Sequence, residues 1–189
     1  MGELNQHDLK RFNCNVFIET GTGQGTGLEH ACQSTFEKIH TIEIIPELRN
    51  YSMDKIKDLR VTFHLGNSVE VLDTILPTIG ETDRILFWMD AHFPGIDFGF
   101  GKGYGNYVYD EENMPLDREL KIIEKYRKGC KDSLIIDDLR FYENGNYQLG
   151  DIDIGKPKSG TGFIEQYFKG THNITRDFRH QGFLIITPM

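Results

Sequence analysis

The stretch from Asn15 to Gly27, NVFIETGTGQGTG, decides the fold of this chain. An apolar run ends in Glu19, and glycines then occupy alternate positions: Gly21, Gly23, Gly25 and Gly27. A strand that runs into glycines lets a ligand approach bare backbone at the carboxyl end of the strand, where open α/β sheets bind their ligands. The stretch therefore predicts a first β-strand followed by a ligand-binding turn.

The spacing of these glycines indicates what kind of ligand the turn takes. A nicotinamide dinucleotide site prefers GxGxxG, in which backbone NH groups at a helix start hold a pyrophosphate. Thr26 stands where the third glycine counted from Gly21 would be, and the pattern present is acid-x-Gly-x-Gly-x-Gly, starting at Glu19. A carboxylate at the strand end attracts a cation and repels a pyrophosphate. The pattern therefore predicts a ligand with positive charge.

Outward from this turn, short β-branched and aromatic runs alternate with stretches long enough for helices. This alternation is typical of a parallel sheet with crossover helices. It predicts strands at residues 15–19, 38–44, 60–65, 84–90 and 133–137, and helices at 25–34, 46–58, 68–76 and 115–126. The charge-rich segment 118–131 predicts a solvated helix face.

The end of the chain follows a different pattern. Two strand-like runs, 174–179 and 182–187, have only His180 and Gln181 between them, which is too little for a crossover helix. Strands this close must be antiparallel. The sequence therefore predicts an α/β fold, with a doubly wound, mostly parallel sheet of seven strands that ends in an antiparallel hairpin.

Residues at the ends of the second and third predicted strands complete the candidate cofactor site. Glu43 follows an apolar run at a distance that suits a carboxylate bonding both hydroxyls of a ribose. Together with the glycine turn, this arrangement resembles motif I and its downstream acid in class I S-adenosylmethionine-dependent methyltransferases, which have a Rossmann-like fold. The resemblance implies that Asn67 and Ser68 lie at the adenine, where Asn67 replaces the aspartate usual in the family.

The fourth and fifth predicted strands end in acidic residues. They read RILFWMDAHF and SLIIDDLRFY, so Asp90, His92, Asp137 and Asp138 are expected to gather at the carboxyl edge of the sheet. Carboxylates in one cleft repel each other unless a cation neutralises them, and oxygen ligands favour Mg²⁺, with Mn²⁺ or Ca²⁺ as alternatives. The pattern resembles macrocin O-methyltransferase-like, cation-dependent enzymes. This resemblance implies that Asp90, Asp137 and Asp138 are metal ligands and that Asp90 also lies beside the cofactor.

The catalytic base cannot be taken from the related catechol-type enzymes. Those enzymes have a lysine three residues after the first aspartate, where this chain has Phe93. His92 is therefore the candidate base, because an imidazole can accept a proton near neutral pH, and His92 or Asp90 would receive the proton of the acceptor as the catalytic residues. The alternatives for His92 are a hydrogen bond to the neighbouring loop or a role as a fourth metal ligand, and Asp138 is alternatively a turn-forming residue.

Composition limits the possible partners. The 189 residues suit a single domain, 1–189, and the net charge of −8 gives no general attraction to nucleic acid or to anionic membranes. The polar N-terminus and the three scattered cysteines predict a soluble, cytoplasmic protein with reduced thiols.

The glycine- and aromatic-rich segment 93–113 predicts a substrate lid, with a partly disordered insertion as the alternative.

These features together predict transfer of a methyl group from S-adenosylmethionine to a hydroxyl of a small molecule of the sugar or natural-product type, aided by Mg²⁺. Two alternatives stay open at this point. One is a metal-independent methyltransferase acting on nitrogen or carboxylate, and the other is a non-catalytic module that only binds S-adenosylmethionine. The sequence does not specify the acceptor or the oligomeric state.

Overall fold

The computed structural model describes residues 3–95, 98–99, 113–152, 154–157 and 159–189. The strands are β1 (Val16–Thr20), β2 (Lys38–Glu43), β3 (Val61–Leu65), β4 (Ile85–Met89), β5 (Ser133–Ile136), β6 (His172–Asp177) and β7 (Phe183–Pro188). The helices are α1 (Thr26–Cys32), α2 (Pro46–Lys55), α3 (Ser68–Ile75), α4 (Leu116–Arg127) and α5 (Gly162–Phe168). Short 3₁₀ helices lie at Leu4–Gln6, Leu9–Phe12, Leu76–Thr78 and Leu139–Phe141.

The seven strands form one sheet in the order β3-β2-β1-β4-β5-β7-β6. Strands β1 to β5 pair in parallel, whereas β7 runs antiparallel to both β5 and β6. The predicted fold class, a mostly parallel seven-stranded sheet with a C-terminal hairpin, is confirmed. Strands β2 and β4 lie on either side of β1, so the direction in which successive strands are added to the sheet reverses at β1, and α/β sheets bind ligands at such a switch point.

Helices cover both faces of the central strands, which explains why these strands are apolar without alternation. Every residue of β1, β4 and β5 is buried. Ile18 and Phe87 face a cluster formed by α3, α4 and α5. Phe17 and Trp88 face the opposite cluster, which contains α1 and the N-terminal 3₁₀ helices. A parallel sheet buried on two sides reads as continuous apolar runs.

Several details differ from the sequence-based prediction. Helix α5 and the N-terminal 3₁₀ helices were not predicted, and the hairpin strands are separated by residues 178–182 rather than by two residues. The prediction that the charged residues of α4 face solvent is wrong for Glu119 and Arg127, which are only 1% and 4% exposed. Arg127 is buried because it forms an ion pair with Asp132 at 2.8 Å, and Glu119 lies on the apolar stripe of the helix.

The predicted lid, 93–113, lies outside the described residues except for 93–95, 98–99 and 113. Among the helices in the described ranges, none has the length and apolar character needed to cross a membrane.

Candidate active site

The glycine turn after β1 forms the centre of a cleft at the carboxyl edge of the sheet. The NH groups of Gly21 and Thr22 donate to the Ile42 carbonyl oxygen at 2.9 and 3.2 Å, which ties the turn to β2. Gly21 has a φ of 83°, and a Cβ atom at this position would lie 2.5 Å from the Asp90 carbonyl oxygen. The turn can pass this close to the end of β4 only because it has no side chain.

Glu19 projects from the end of β1 into the cleft and is almost fully buried. Its Oε2 accepts a hydrogen bond from Thr41 Oγ1 at 2.6 Å, and Thr41 Oγ1 is 2.5 Å from Thr22 Oγ1. Burial raises the pKa of Glu19 to about 8, although the Thr41 hydroxyl opposes the shift. In the described part of the chain no basic side chain forms an ion pair with this carboxyl, so a cationic ligand would stabilise its charged form.

Glu43, at the end of β2, holds the backbone on both sides of the cleft. Its Oε2 accepts from the Gly23 NH at 2.8 Å, and its Oε1 accepts from the Ile44 and Ile45 NH groups at 2.8 and 2.9 Å. Burial raises the pKa of Glu43, and these three hydrogen bonds oppose the rise. A carboxylate has roughly four lone-pair positions, so the side chain retains capacity for a ligand hydroxyl.

Asn67 and Ser68 line the cleft at the start of α3. Asn67 is the N-cap of this helix, because its Oδ1 accepts from the Val69 NH at 3.0 Å. The predicted adenine contact would therefore use an oxygen that already caps a helix. Ser68 is buried at the same helix start.

The cleft brings together most of the predicted cofactor residues. Its lining includes Glu19, Gly21, Gly23, Glu43, Asn67, Ser68 and Asp90. Gly25 is not part of the lining. A Cβ atom there would lie 2.9 Å from Ile56 Cδ1 and 3.2 Å from Ser52 Oγ, so this glycine allows close packing of the turn against α2 and its end. Apolar lining residues that the sequence did not single out include Ile44 and Leu48, and Phe98 from the predicted lid segment also lines the cleft.

At the same end of the sheet, His92 lies between two aspartates that follow β4 and β5. Its Nε2 is 3.2 Å from Asp138 Oδ2, and its Nδ1 is 3.6 Å from Asp90 Oδ1. Asp138 adopts a left-handed conformation with φ 50° and ψ 49°, and its Oδ1 accepts from Arg140 Nε at 3.1 Å. Asp138 therefore makes a turn and also contributes its carboxylate to the site. Asp90, His92 and Asp138 can each offer one ligand atom within 4.8 Å of the others.

Asp137, the third predicted metal ligand, is 2% exposed and is not in that group of three. Neither of its carboxyl oxygens has a hydrogen-bond partner among the described residues. Burial, with the neighbouring charges of Asp90 and Asp138, raises its pKa well above the usual range. Burial and the charge of Asp138 have the same effect on the pKa of Asp90. The structure thus brings Asp90 and Asp138 together with His92, and places Asp137 close enough to interact with all three.

Comparison with solved structures identifies the fold that carries this cleft. An O-methyltransferase from Bacillus cereus in complex with S-adenosylhomocysteine (SAH) is similar at 13% identity and a TM-score of 0.62, covering 96% of this chain and 77% of that chain. A methyltransferase from Anabaena variabilis that depends on S-adenosylmethionine is similar at 14% identity and a TM-score of 0.55, covering 96% and 82%. This chain has the methyltransferase fold.

A Staphylococcus aureus protein assigned as a caffeoyl-CoA O-methyltransferase shares the methyltransferase fold at 14% identity, with a TM-score of 0.60 and coverage of 96% of this chain and 79% of that chain. Comparison with protein-family models and with curated proteins finds no match. The likeness therefore lies in the three-dimensional fold, and the function has to be argued from the residues in the cleft.

Sequence reasoning missed Glu119, a buried acid on the first turn of α4 in this methyltransferase fold. Burial raises its pKa to about 7, opposed by the hydroxyls of Ser68 and Thr20 and by the charge of Arg118. Its spacing from the apolar residues Leu116 and Ile123 indicates that Glu119 shares their buried face of the helix, because residues three or four apart lie on one face.

Proposed function

We propose that the chain is an S-adenosylmethionine-dependent O-methyltransferase that acts on a hydroxyl of a small molecule of the sugar or natural-product type, with the help of a divalent cation. One observation carries the proposal. In the methyltransferase fold, a glycine turn flanked by the buried acids Glu19 and Glu43 opens into the same cleft as Asp90 and His92.

The residues of the cleft fit the chemical groups of S-adenosylmethionine. The buried, uncompensated carboxyl of Glu19 suits a cationic group, and the turn at Gly21 leaves no room for a side chain. Glu43 would accept from the ribose hydroxyls, and Asn67 and Ser68 would lie at the adenine. When bound, S-adenosylmethionine supplies a methyl group activated by its positive sulfur. The chain contributes by aligning the reactants and excluding water.

The acidic edge of the cleft fits a divalent cation. Asp137 has two buried oxygens without hydrogen-bond partners among the described residues, and Asp90 and Asp138 approach the same region. Buried carboxylates are stable as a group when a cation lies among them. When bound, such an ion lowers the pKa of a hydroxyl that it contacts. Asp90 or His92, whose side chains lie 3.6 Å apart, would receive the proton of the acceptor.

The remaining assignments concern partners and location. The net charge of −8 supports a small-molecule acceptor rather than nucleic acid or an anionic membrane. We place the protein in the cytoplasm, where thiols such as Cys14, Cys32 and Cys130 stay reduced.

Isothermal titration calorimetry with SAH tests the cofactor assignment. The wild-type chain should bind SAH, and Glu43→Ala should weaken binding by about 1.5–3 kcal/mol, the scale of a hydrogen bond to a charged group. Glu47→Ala is the matched control, because Glu47 is an exposed acid on the first turn of α2. Tight binding of NADH with no response to SAH would overturn the proposal.

A further inference from the structure

The imidazole of His92 lies between the carboxylates of Asp90 and Asp138, which together with Asp137 form the acidic edge of the cleft. The side chain is 10% exposed, with Nε2 3.2 Å from Asp138 Oδ2 and Nδ1 3.6 Å from Asp90 Oδ1. We propose that His92 is a ligand of the cation at this site, and that its nitrogen makes the site prefer a transition ion such as Mn²⁺ or Co²⁺ over Mg²⁺. This inference rests on the cation included in the proposed function and specifies its chemical class.

The distances between these groups suit ligands of one ion. Two ligand atoms about 2.1 Å from an ion and at right angles to each other are about 3.0 Å apart. His92 Nε2 and Asp138 Oδ2 are separated by 3.2 Å, and one atom from each of Asp90, His92 and Asp138 lies within 4.8 Å of the others. Small side-chain movements would therefore complete the site without a change in the backbone.

Asp137 gives an independent reason to expect an ion. Its side chain is 2% exposed, both of its oxygens lack hydrogen-bond partners in the described ranges, and its charge interacts with Asp90, Asp138 and His92. An unpartnered buried carboxylate is costly, and a cation between it and its neighbours would remove that cost. Arg140, which forms an ion pair with Asp138, compensates only part of the negative charge.

The nitrogen ligand determines which ion fits. Mg²⁺ prefers oxygen ligands, whereas Mn²⁺, Co²⁺ and Zn²⁺ accept a mixture of carboxylate and imidazole, with affinity rising from Mn²⁺ to Co²⁺. His92 Nε2, which is 3.2 Å from Asp138 Oδ2, is the nitrogen assigned to the ion. His92 is then unavailable as a base at Nε2, so the proton of the acceptor is assigned to Asp90.

Metal titration of the full chain after EDTA treatment and dialysis tests the preference. By calorimetry, the wild-type protein should bind Mn²⁺ and Co²⁺ about tenfold or more tightly than Mg²⁺. His92→Ala should weaken Mn²⁺ and Co²⁺ binding about tenfold or more and change Mg²⁺ binding by less than about threefold. His92→Asn, which keeps a polar side chain with an oxygen, should also lose the preference, and circular dichroism of both variants verifies folding.

Pulsed electron paramagnetic resonance of bound Mn²⁺ detects the ligand directly. The wild-type protein should show modulation from an imidazole nitrogen, and His92→Ala should lose it. His40→Ala is the control, because His40 Nδ1 and His64 Nε2 are 3.1 Å apart at a different place in the sheet, where two imidazoles offer a competing location for such an ion. Loss of the signal in His40→Ala with retention in His92→Ala would overturn the proposal, as would equal affinities for Mg²⁺ and Mn²⁺.

Calorimetry with SAH on the EDTA-treated protein separates this inference from the proposed function. If SAH binds but the protein binds Mn²⁺ and Co²⁺ no more tightly than Mg²⁺, the metal assignment fails and the cofactor assignment stands. If the ions bind through His92 and SAH does not bind, the proposed function fails and the metal site stands.

Discussion

Substitution of Gly21 by alanine tests whether the glycine turn sets the shape of the cleft. Gly21 has a φ of 83°, and an added Cβ would lie 2.5 Å from the carbonyl oxygen and 2.8 Å from the carbonyl carbon of Asp90. A left-handed conformation costs a residue with a Cβ about 1–2 kcal/mol. Overpacking against backbone adds about 1–3 kcal/mol, so Gly21→Ala should destabilise the fold by about 2–5 kcal/mol.

Gly129→Ala is the matched control for this substitution. Gly129 follows α4 with a φ of 85°, and a Cβ there would have no heavy atom within 4 Å. Its replacement should cost only the conformational term of about 1–2 kcal/mol. The difference between the two variants therefore isolates the contact between the glycine turn and the end of β4.

Urea denaturation and SAH calorimetry measure the two consequences. Gly21→Ala displaces the backbone of Asp90 in the cleft, so we expect SAH affinity to fall about tenfold or more, equivalent to about 1.4 kcal/mol. Gly129→Ala should bind SAH like the wild-type chain. Equal stability losses in the two variants, together with unchanged SAH binding by Gly21→Ala, would refute the steric reasoning.

Three further predictions follow from the buried charges. Asp137→Asn should keep or raise the Tm in EDTA, by about 2–4 °C for each 1 kcal/mol gained, because it removes an uncompensated carboxylate; a lower Tm in EDTA would contradict this. Burial raises the pKa of Glu19 from 4.5 to about 8, so the unfolded chain loses this proton first and stability falls as pH rises between these values. Denaturation at a series of pH values should show a shallower fall for Glu19→Gln, and an unchanged slope would argue against a protonated Glu19. Arg127→Met leaves the buried Asp132 without its charged partner and should cost about 3–5 kcal/mol in urea denaturation. Lys121→Met, which removes an exposed ion pair, should cost less than about 1 kcal/mol, and similar losses in both would contradict the assignment.

The apolar runs and their spacing were sufficient to predict the sheet. Each of β1 to β5 overlaps its predicted strand. The prediction is strongest for β1, β4 and β5, because a parallel strand buried on both faces needs consecutive apolar residues that stand out in the sequence. Helix α5, whose buried residues are Ile164 and Phe168, was missed because it is only 7 residues long. Short helices depend on tertiary packing more than on their own sequence.

For the candidate site, the sequence determined which groups reach the carboxyl edge of the sheet, because Glu19, Glu43 and Asp90 end strands or directly follow them. Only the tertiary structure decided how these groups meet. The left-handed conformation of Asp138 directs its carboxylate to His92 and Arg140, whereas Asp137 stays buried without a partner among the described residues. Strand periodicity stops where a strand ends, so the sequence cannot specify where the next side chains point. Their positions depend on backbone angles and on partners more than forty residues away along the chain.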